Sequence, residues 1–366
     1  MKDHNENNQN VAENEIVAEE VQEADAPLDR NVQLMSPARM VIRRFFRSKL
    51  SVIGIIMLVA LFLFCFAGPL VYTEWGEIEV DESPMVEYTT KVIEYEKNGQ
   101  TFVVYQVTEK IEKENALAPL SSTHPLGTDE TGYDVLTRLM YGGQISLIIG
   151  FIAVFIITVL GIIMGGIAGY FGGVVDNVIM RICDILMCIP GFPIMLVFGT
   201  VLTAFGEMEN PSAVQAIMGD PQYRIYFLMA FLTLFSWPGT ARLVRGQILF
   251  LREQEYMVAA EAMGYSTTRK IFKHLIPNVM PQLIVSMTLS LGSMILYEAS
   301  LSFLNMGVQP PYAAWGTMIN AAKDLNILEN YMNVWAPAGI CIVIAVLGFN
   351  FVGDGLRDAL DPKARR

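Results

Sequence analysis

The sequence predicts an all-α integral membrane protein of six transmembrane helices carrying a small external β-hairpin insert. Three observations predict it. Hydrophobic residues make up 53% of the 366 positions, aromatic residues 10%, and the mean hydropathy is +0.40, too apolar for an ordinary soluble domain. Six apolar runs follow one another, at Leu50 to Tyr72 and roughly at 145–170, 182–205, 225–241, 279–304 and 334–353. The first is long enough to cross about 30 Å of hydrocarbon. Basic residues favour one side: with the first flank inside, cytoplasmic pieces hold 18 of the 25 Lys and Arg residues and external pieces hold seven. Both termini are therefore expected in the cytoplasm of a cell whose plasma membrane the chain crosses.

The formal charge of −12 lies mostly in the first 30 residues and in 74–134, so it says little about the membrane part. No nucleic-acid partner is expected. Cys65, Cys183, Cys188 and Cys341 all fall in apolar spans without C-x-x-C spacing, which suggests neither a disulfide framework nor a zinc site. His4, His124 and His274 are too scattered for a metal cluster.

Residues 1–34 are acidic, Asn-rich and poor in large apolar groups. Such a segment cannot offset its ordering entropy by burial and is expected to be a disordered cytoplasmic tail. In the next unit, 35–73, Arg39, Arg43, Arg44, Arg47 and Lys49 precede the first span. Between spans one and two lies a polar insert, 74–120. Its VEYTTKVIEYE and TFVVYQVTEK alternate apolar and polar residues as half-buried strands do, and Asn98-Gly99 between them is a strong hairpin signal. The insert is expected outside the membrane, as a docking surface for an external solute-binding protein or as a plain solvated loop.

Residues 121–366 form the five-helix remainder. In HPLGTDETGYDVLTRLM, Asp134 can cap a helix starting at Val135, and Arg138 lies within reach of an i,i+4 pair with it. Gly161, Gly165, Gly166, Gly169, Gly172 and Gly173 crowd one stretch, where small residues let helices pack closely. Asp176 and Asp184, with Arg181 nearby, read as structural ion pairs. Glu298 is different: it stands in the fifth span with apolar neighbours for a full turn on either side. Such a carboxylate belongs on a translocation pathway or in an interhelical strut.

The loop 252–277 reads as a helix, a break and a second helix. Tyr256 to Met263 is rich in helix formers, Gly264 suits a left-handed cap, Ser266 can cap the next helix, and Pro277 opens the following run. Ala259, Ala260 and Ala262 leave part of the first helix nearly bare, so another surface could approach it. Arg269, Lys270, Lys273 and His274 make the second helix basic.

This loop resembles the "EAA" loop of ABC-importer permeases, which reads E-A-A, three residues, Gly, nine residues, I-x-L-P. Ala259, Ala260, Gly264 and the Ile276-Pro277 end match; Val258 stands in the Glu position and His274 in the Ile position. The HPLGTDETGYDVLTRLM stretch, with Tyr133 in place of the usual Arg, resembles C-type subunits of the oligopeptide, dipeptide and nickel permeases. So do EASLSFLNMGVQPP and the ending FNFVGDGLRDALDP. The resemblance covers about residues 35–72 and 121–366 and implies the ABC type I importer fold.

It implies further that Tyr256, Ala259, Ala260, Glu261, Gly264 and Pro277 form a coupling helix against a cytoplasmic ATPase. The expected partners are a homologous B-type permease, two ABC ATPase subunits, an extracellular solute-binding lipoprotein and membrane lipid. The cargo is a peptide, delivered by the external protein. No cofactor is expected in this chain: ATP and Mg belong to the ATPases. The chain has no Gly-Lys dipeptide and so no Walker A loop, and no nucleophile–base arrangement, so it is not expected to be an enzyme. Within the family, nickel or a nickel chelate is the alternative cargo. From another class, an ion-coupled secondary transporter would use Glu298 as its proton or cation site.

Overall fold

The computed structural model describes residues 37–82, 85–97, 100–112, 115–209 and 212–361. The tail expected over 1–34, the Asn98-Gly99 turn and the terminal Lys363, Arg365 and Arg366 lie outside these residues. The chain divides into two units, Met1–Arg43 and Arg44–Arg366. The described part of the first is the opening of helix α1 (Pro37–Arg47).

In the second unit, Ser48 caps α2 (Lys49–Val71) by accepting from the Ser51 N–H at 3.4 Å. One π turn, Leu63–Ala67, precedes Pro69, whose missing N–H would interrupt the regular ladder. Strands β1 (Met85–Lys97) and β2 (Gln100–Glu112) pair antiparallel, in a register running from Met85 opposite Glu112 to Lys97 opposite Gln100. The Asn115 amide donates to the Asp81 carbonyl at 2.9 Å, tying together the chain before β1 and after β2.

Helix α3 (Val135–Phe171) has 37 residues and starts ten positions before the apolar run it contains. At 1.5 Å per residue it is roughly 55 Å long, more than the hydrocarbon needs. Asp134 caps it, with Oδ1 2.8 Å from the Thr137 N–H. The expected Asp134–Arg138 pair gives way to another, because Asp134 Oδ2 faces His124 Nδ1 at 2.9 Å and Arg138 pairs with Asp129 at 3.3 Å. His124 Nε2 lies 3.2 Å from Asp81 Oδ2, and the Trp75 indole stacks on the imidazole at 4.6 Å. This buried knot joins the end of the first span to the start of α3.

Helices α4 (Gly173–Cys188) and α5 (Gly191–Gly206) replace the straight run expected at 182–205; they meet at a 73° bend. Pro190 causes it, since the residue before a proline avoids helical backbone and Ile189 is extended. Short α6 (Ala213–Gly219) leads into α7 (Pro221–Arg252), which runs unbroken through Trp237-Pro238-Gly239. Then come α8 (Glu255–Ala262), α9 (Thr267–Phe303), the short α10 (Trp315–Asn320) and α11 (Leu325–Asn330), and α12 (Met332–Leu360).

Among the described residues, α2, α3, α9 and α12 are long and apolar enough to cross a membrane, and the bent α4–α5 pair can count as a fifth span. Helix α7 contains the run expected at 225–241 but is not among them.

Close backbone approaches explain the glycines. A Cβ on Gly161 would lie 2.5 Å from Thr240 Cγ2, and one on Gly165 only 2.3 Å from the Ala241 carbonyl oxygen, so α3 lies directly on α7. Helix α12 packs against α2 through Gly54, Gly348 and Gly355 and against α9 through Gly292 and Gly353. The main core runs through Leu147, Val154, Ile295, Leu301, Trp315 and Ala345.

Candidate functional site

The loop after α7 is built to hold one short helix still. Met257 and Ala260 turn inward, 3% and 1% exposed. Met257 packs with Leu275, Val244, Ile248, Val279 and Leu283, anchoring α8 to both neighbouring helices. The other side of α8 is bare: Val258 and Met263 are each 62% exposed, and Tyr256, Ala259, Glu261 and Ala262 are exposed beside them. Phe272, on the following helix, is 66% exposed as well.

Gly264 ends α8 with φ +70°, donating to the Glu261 carbonyl at 2.9 Å, while the Tyr265 N–H reaches the Ala260 carbonyl at 3.1 Å. Ser266 caps α9, its Oγ 3.4 Å from the Arg269 N–H. Lys270 lies 3.8 Å from Glu261 and 5.8 Å from the centre of the Tyr170 ring. The second helix expected in the loop is not separate. It passes through a π turn, Lys270–Leu275, straight into the span, with Pro277 at its outset. Of the six residues singled out in this loop, Tyr256, Ala259, Glu261, Gly264 and Pro277 are exposed; Ala260 is an anchor.

Ion pairs brace the same end of the molecule. Arg245 holds Asp176 through two nitrogens, Nη2 at 2.5 Å from Oδ2 and Nε to Oδ1. Asp184 pairs with Arg242 as well as with the expected Arg181, the latter at 3.7 Å. Arg252 donates to the Tyr170 carbonyl at 3.1 Å. Both aspartates are structural, as their sequence context suggests, but the partners from α7 lie too far along the chain to be read from spacing.

Glu298 is 0% exposed. Its Oε1 accepts from the Ser302 hydroxyl at 2.6 Å and its Oε2 from the Ser146 hydroxyl at 2.9 Å. Those hydroxyls accept in turn from the Val308 and Trp315 N–H groups, each at 3.3 Å. The carboxyl thus ties α9 to α3 and to the chain leading into α10.

It does not line a partly open cavity of about 340 Å³ between α3, α7 and α9. Thr158 enters that cavity from α3, Ser236, Gly239 and Thr240 from α7, and Ser286, Ser290, Ser293 and Tyr297 from α9; Leu232, Leu243, Leu283, Met287 and Met294 complete much of the wall. None of these lining residues was singled out in the sequence. The signal was there in α9, where 286, 290, 293 and 297 fall on one helical face.

Residues 157–366 match the family model described as the binding-protein-dependent transport system inner membrane component. The chain belongs to this family. It is a multi-pass membrane permease subunit of an ABC importer. The first part of this permease, residues 36–82, matches the N-terminal TM domain of oligopeptide transport permease C. Over 253 residues the permease is 40% identical to the oligopeptide transport system permease protein OppC of Bacillus subtilis, covering 69% of this chain and 76% of that one. The dipeptide transport system permease protein DppC of Alkalihalophilus pseudofirmus is 33% identical over 339 residues, 93% of this chain and 94% of its own. Among solved structures, a chain of the inward-facing MetNI methionine ABC transporter aligns with 61% of this permease and 96% of itself, at 21% identity and a TM-score of 0.45. The family match takes in α8, the whole of α9 and the cavity wall apart from Val154, whereas β1 and β2 lie between the two matched regions.

Proposed function

We propose that this permease forms half of the translocation pathway of an ATP-driven importer of oligopeptides or dipeptides, and that α8 is its coupling helix. The bare apolar face of α8 carries the reading. Val258, Ala259, Ala262 and Met263 present an uncovered surface on a helix whose opposite side is locked to the span by Met257 and Ala260. A helix so fixed, with none of the described residues covering its outer face, is suited to a groove on a partner. Tyr256, Glu261 and Gly264 frame that face; Pro277 sits where the loop rejoins the span.

Helix α9 supplies the mechanical link. It runs without a break from Thr267, beside the loop, to Phe303, and it carries the cavity wall between Ser286 and Tyr297. ATP binding closes two ATPase subunits, α8 follows its groove, and α9 swings as a lever, turning the cavity from one side of the membrane to the other. A solute-binding lipoprotein delivers the peptide from outside, and a homologous B-type permease supplies the other half of the path. ATP and Mg are held by the ATPases. In this account α7 is a sixth span, both termini are cytoplasmic, the β1–β2 hairpin stands outside, and Glu298 is an interhelical strut. Peptide cargo is preferred to nickel because the similar relatives are oligopeptide and dipeptide permeases.

The test is a mild-detergent purification of the tagged permease from its native membrane, with partners identified by mass spectrometry. Recovery of a second permease and of Walker-containing ATPases is expected. A chain that purifies alone, yet drives uptake from an ion gradient, would refute the proposal.

A further inference from the structure

The walls of the 340 Å³ cavity hold a chemical pattern that goes beyond the import of peptides as such. Its size falls in the range of ligand-binding pockets. Hydroxyl groups enter it from three helices, and among the described residues none that lines it carries a charge. Two of the hydroxyls have their protons committed. Thr158 donates to the Val154 carbonyl and Ser290 to the Ser286 carbonyl, each at 2.8 Å, so the oxygens turn lone pairs toward the cavity. Ser290 and Ser293 are exposed, and Tyr297, also in the wall, lies edge to face with Phe192 at 5.8 Å. The carboxyl of Glu298, next along the chain, is turned away into its own hydrogen-bond cluster.

We infer that this wall is a substrate-contact surface that reads the peptide backbone and ignores side-chain charge. Every peptide offers the same N–H and C=O groups, and hydroxyls can accept from the first and donate to the second. A buried lysine or aspartate in the wall would favour one sign of cargo and repel the other, and among the described residues the wall has neither. Ser286, Ser290, Ser293 and Tyr297 on α9 are the specificity-determining residues: their lack of charge is what admits acidic, basic and neutral peptides alike. This inference rests on the peptide-import reading.

The experiment reconstitutes the full importer with its binding protein in proteoliposomes and measures ATP-dependent uptake of Ala-Ala-Ala, Ala-Lys-Ala and Ala-Asp-Ala. Each variant is compared with the unaltered importer as a ratio of lysine-peptide to aspartate-peptide uptake, which cancels any preference of the binding protein. Ser290→Asp is expected to raise that ratio about tenfold and Ser290→Lys to lower it by a similar factor, through attraction of one cargo and repulsion of the other. Ser290→Ala and Tyr297→Phe add no charge and should slow all three peptides together, leaving the ratio unchanged. An unchanged ratio in charged variants that still import Ala-Ala-Ala would overturn the inference and leave peptide import standing. A selective loss of one peptide in the uncharged variants would also overturn it. If the unaltered importer takes up none of the three peptides, the peptide reading falls and this inference with it.

Discussion

Replacing Gly264 isolates one conformational term at the loop. Its φ is +70°, and a Cβ built there meets no atom within 4 Å, so a side chain has room and the whole cost is backbone strain. An L-residue in this left-handed conformation costs about 1–2 kcal/mol, and a β-branched one more, up to roughly 3 kcal/mol. Asparagine adopts it readily. The expected order is therefore Asn close to the native glycine, then Ala, then Val. A penalty of about 1.4 kcal/mol lowers the population of the native turn tenfold. The strain falls on the bonds that close α8, Gly264 to Glu261 at 2.9 Å and Tyr265 to Ala260 at 3.1 Å, while Met257 still anchors the other end. The assay measures peptide taken up per ATP hydrolysed in reconstituted complex. Gly264→Val should retain basal hydrolysis and lose most of the coupled uptake, with Gly264→Asn near normal. Full coupling in the valine variant, or an order unrelated to left-handed preference, would refute the reasoning.

Three further outcomes follow from the packing. Gly165→Val would drive a side chain into the Ala241 backbone oxygen, 2.3 Å from the ideal Cβ, whereas Gly166→Ala makes only an ordinary contact, 3.7 Å from Ile248 Cδ1. The first should lower the melting temperature in detergent sharply and the second leave it within a degree or two, by about the difference between overpacking and none. Glu298→Ala strips both serine hydroxyls of their acceptor and should destabilise by about 2–4 kcal/mol, while Glu298→Gln, which keeps an acceptor, should preserve assembly and uptake across external pH. A strong pH-dependent change in the glutamine variant would instead point to a carboxyl that moves protons. His124→Ala removes the bridge between Asp81 and Asp134 and should speed proteolysis within the insert, with a cost of about 2–3 kcal/mol for the two lost hydrogen bonds to carboxylates.

Much of this was legible in the sequence because it depends on local chemistry. Asp134 and Ser266 announce helix starts by their capping side chains, and Gly264 announces a stop by its freedom at positive φ. Apolar runs mark α2, α3, α9 and α12 for the same reason that lipid accepts them. What the sequence hides depends on the third dimension. Pro190 hints at a break but not at its 73° angle. The loop's second helix merges with the span through a π turn that spacing does not encode. Asp184 does pair with nearby Arg181, yet Arg242 also reaches it, and Arg245 reaches Asp176, from another helix. Glu298 stands out by cost alone, since a carboxyl among apolar residues reads the same whether it lines a path or ties helices together. The cavity was missed because serines at 286, 290 and 293 are ordinary in a membrane helix until α3 and α7 are seen to face them.

The central claim is that the bare side of α8 meets an ATPase subunit, and photocrosslinking tests it most directly. A photoreactive amino acid placed at Val258, 62% exposed, should form an adduct with the ATPase, and one at Met257, 3% exposed, should not. The adduct at 258 should be abundant in assembled complex and absent when the ATPases are stripped away. No adduct from position 258 in a complex that hydrolyses ATP and imports peptide would contradict the account.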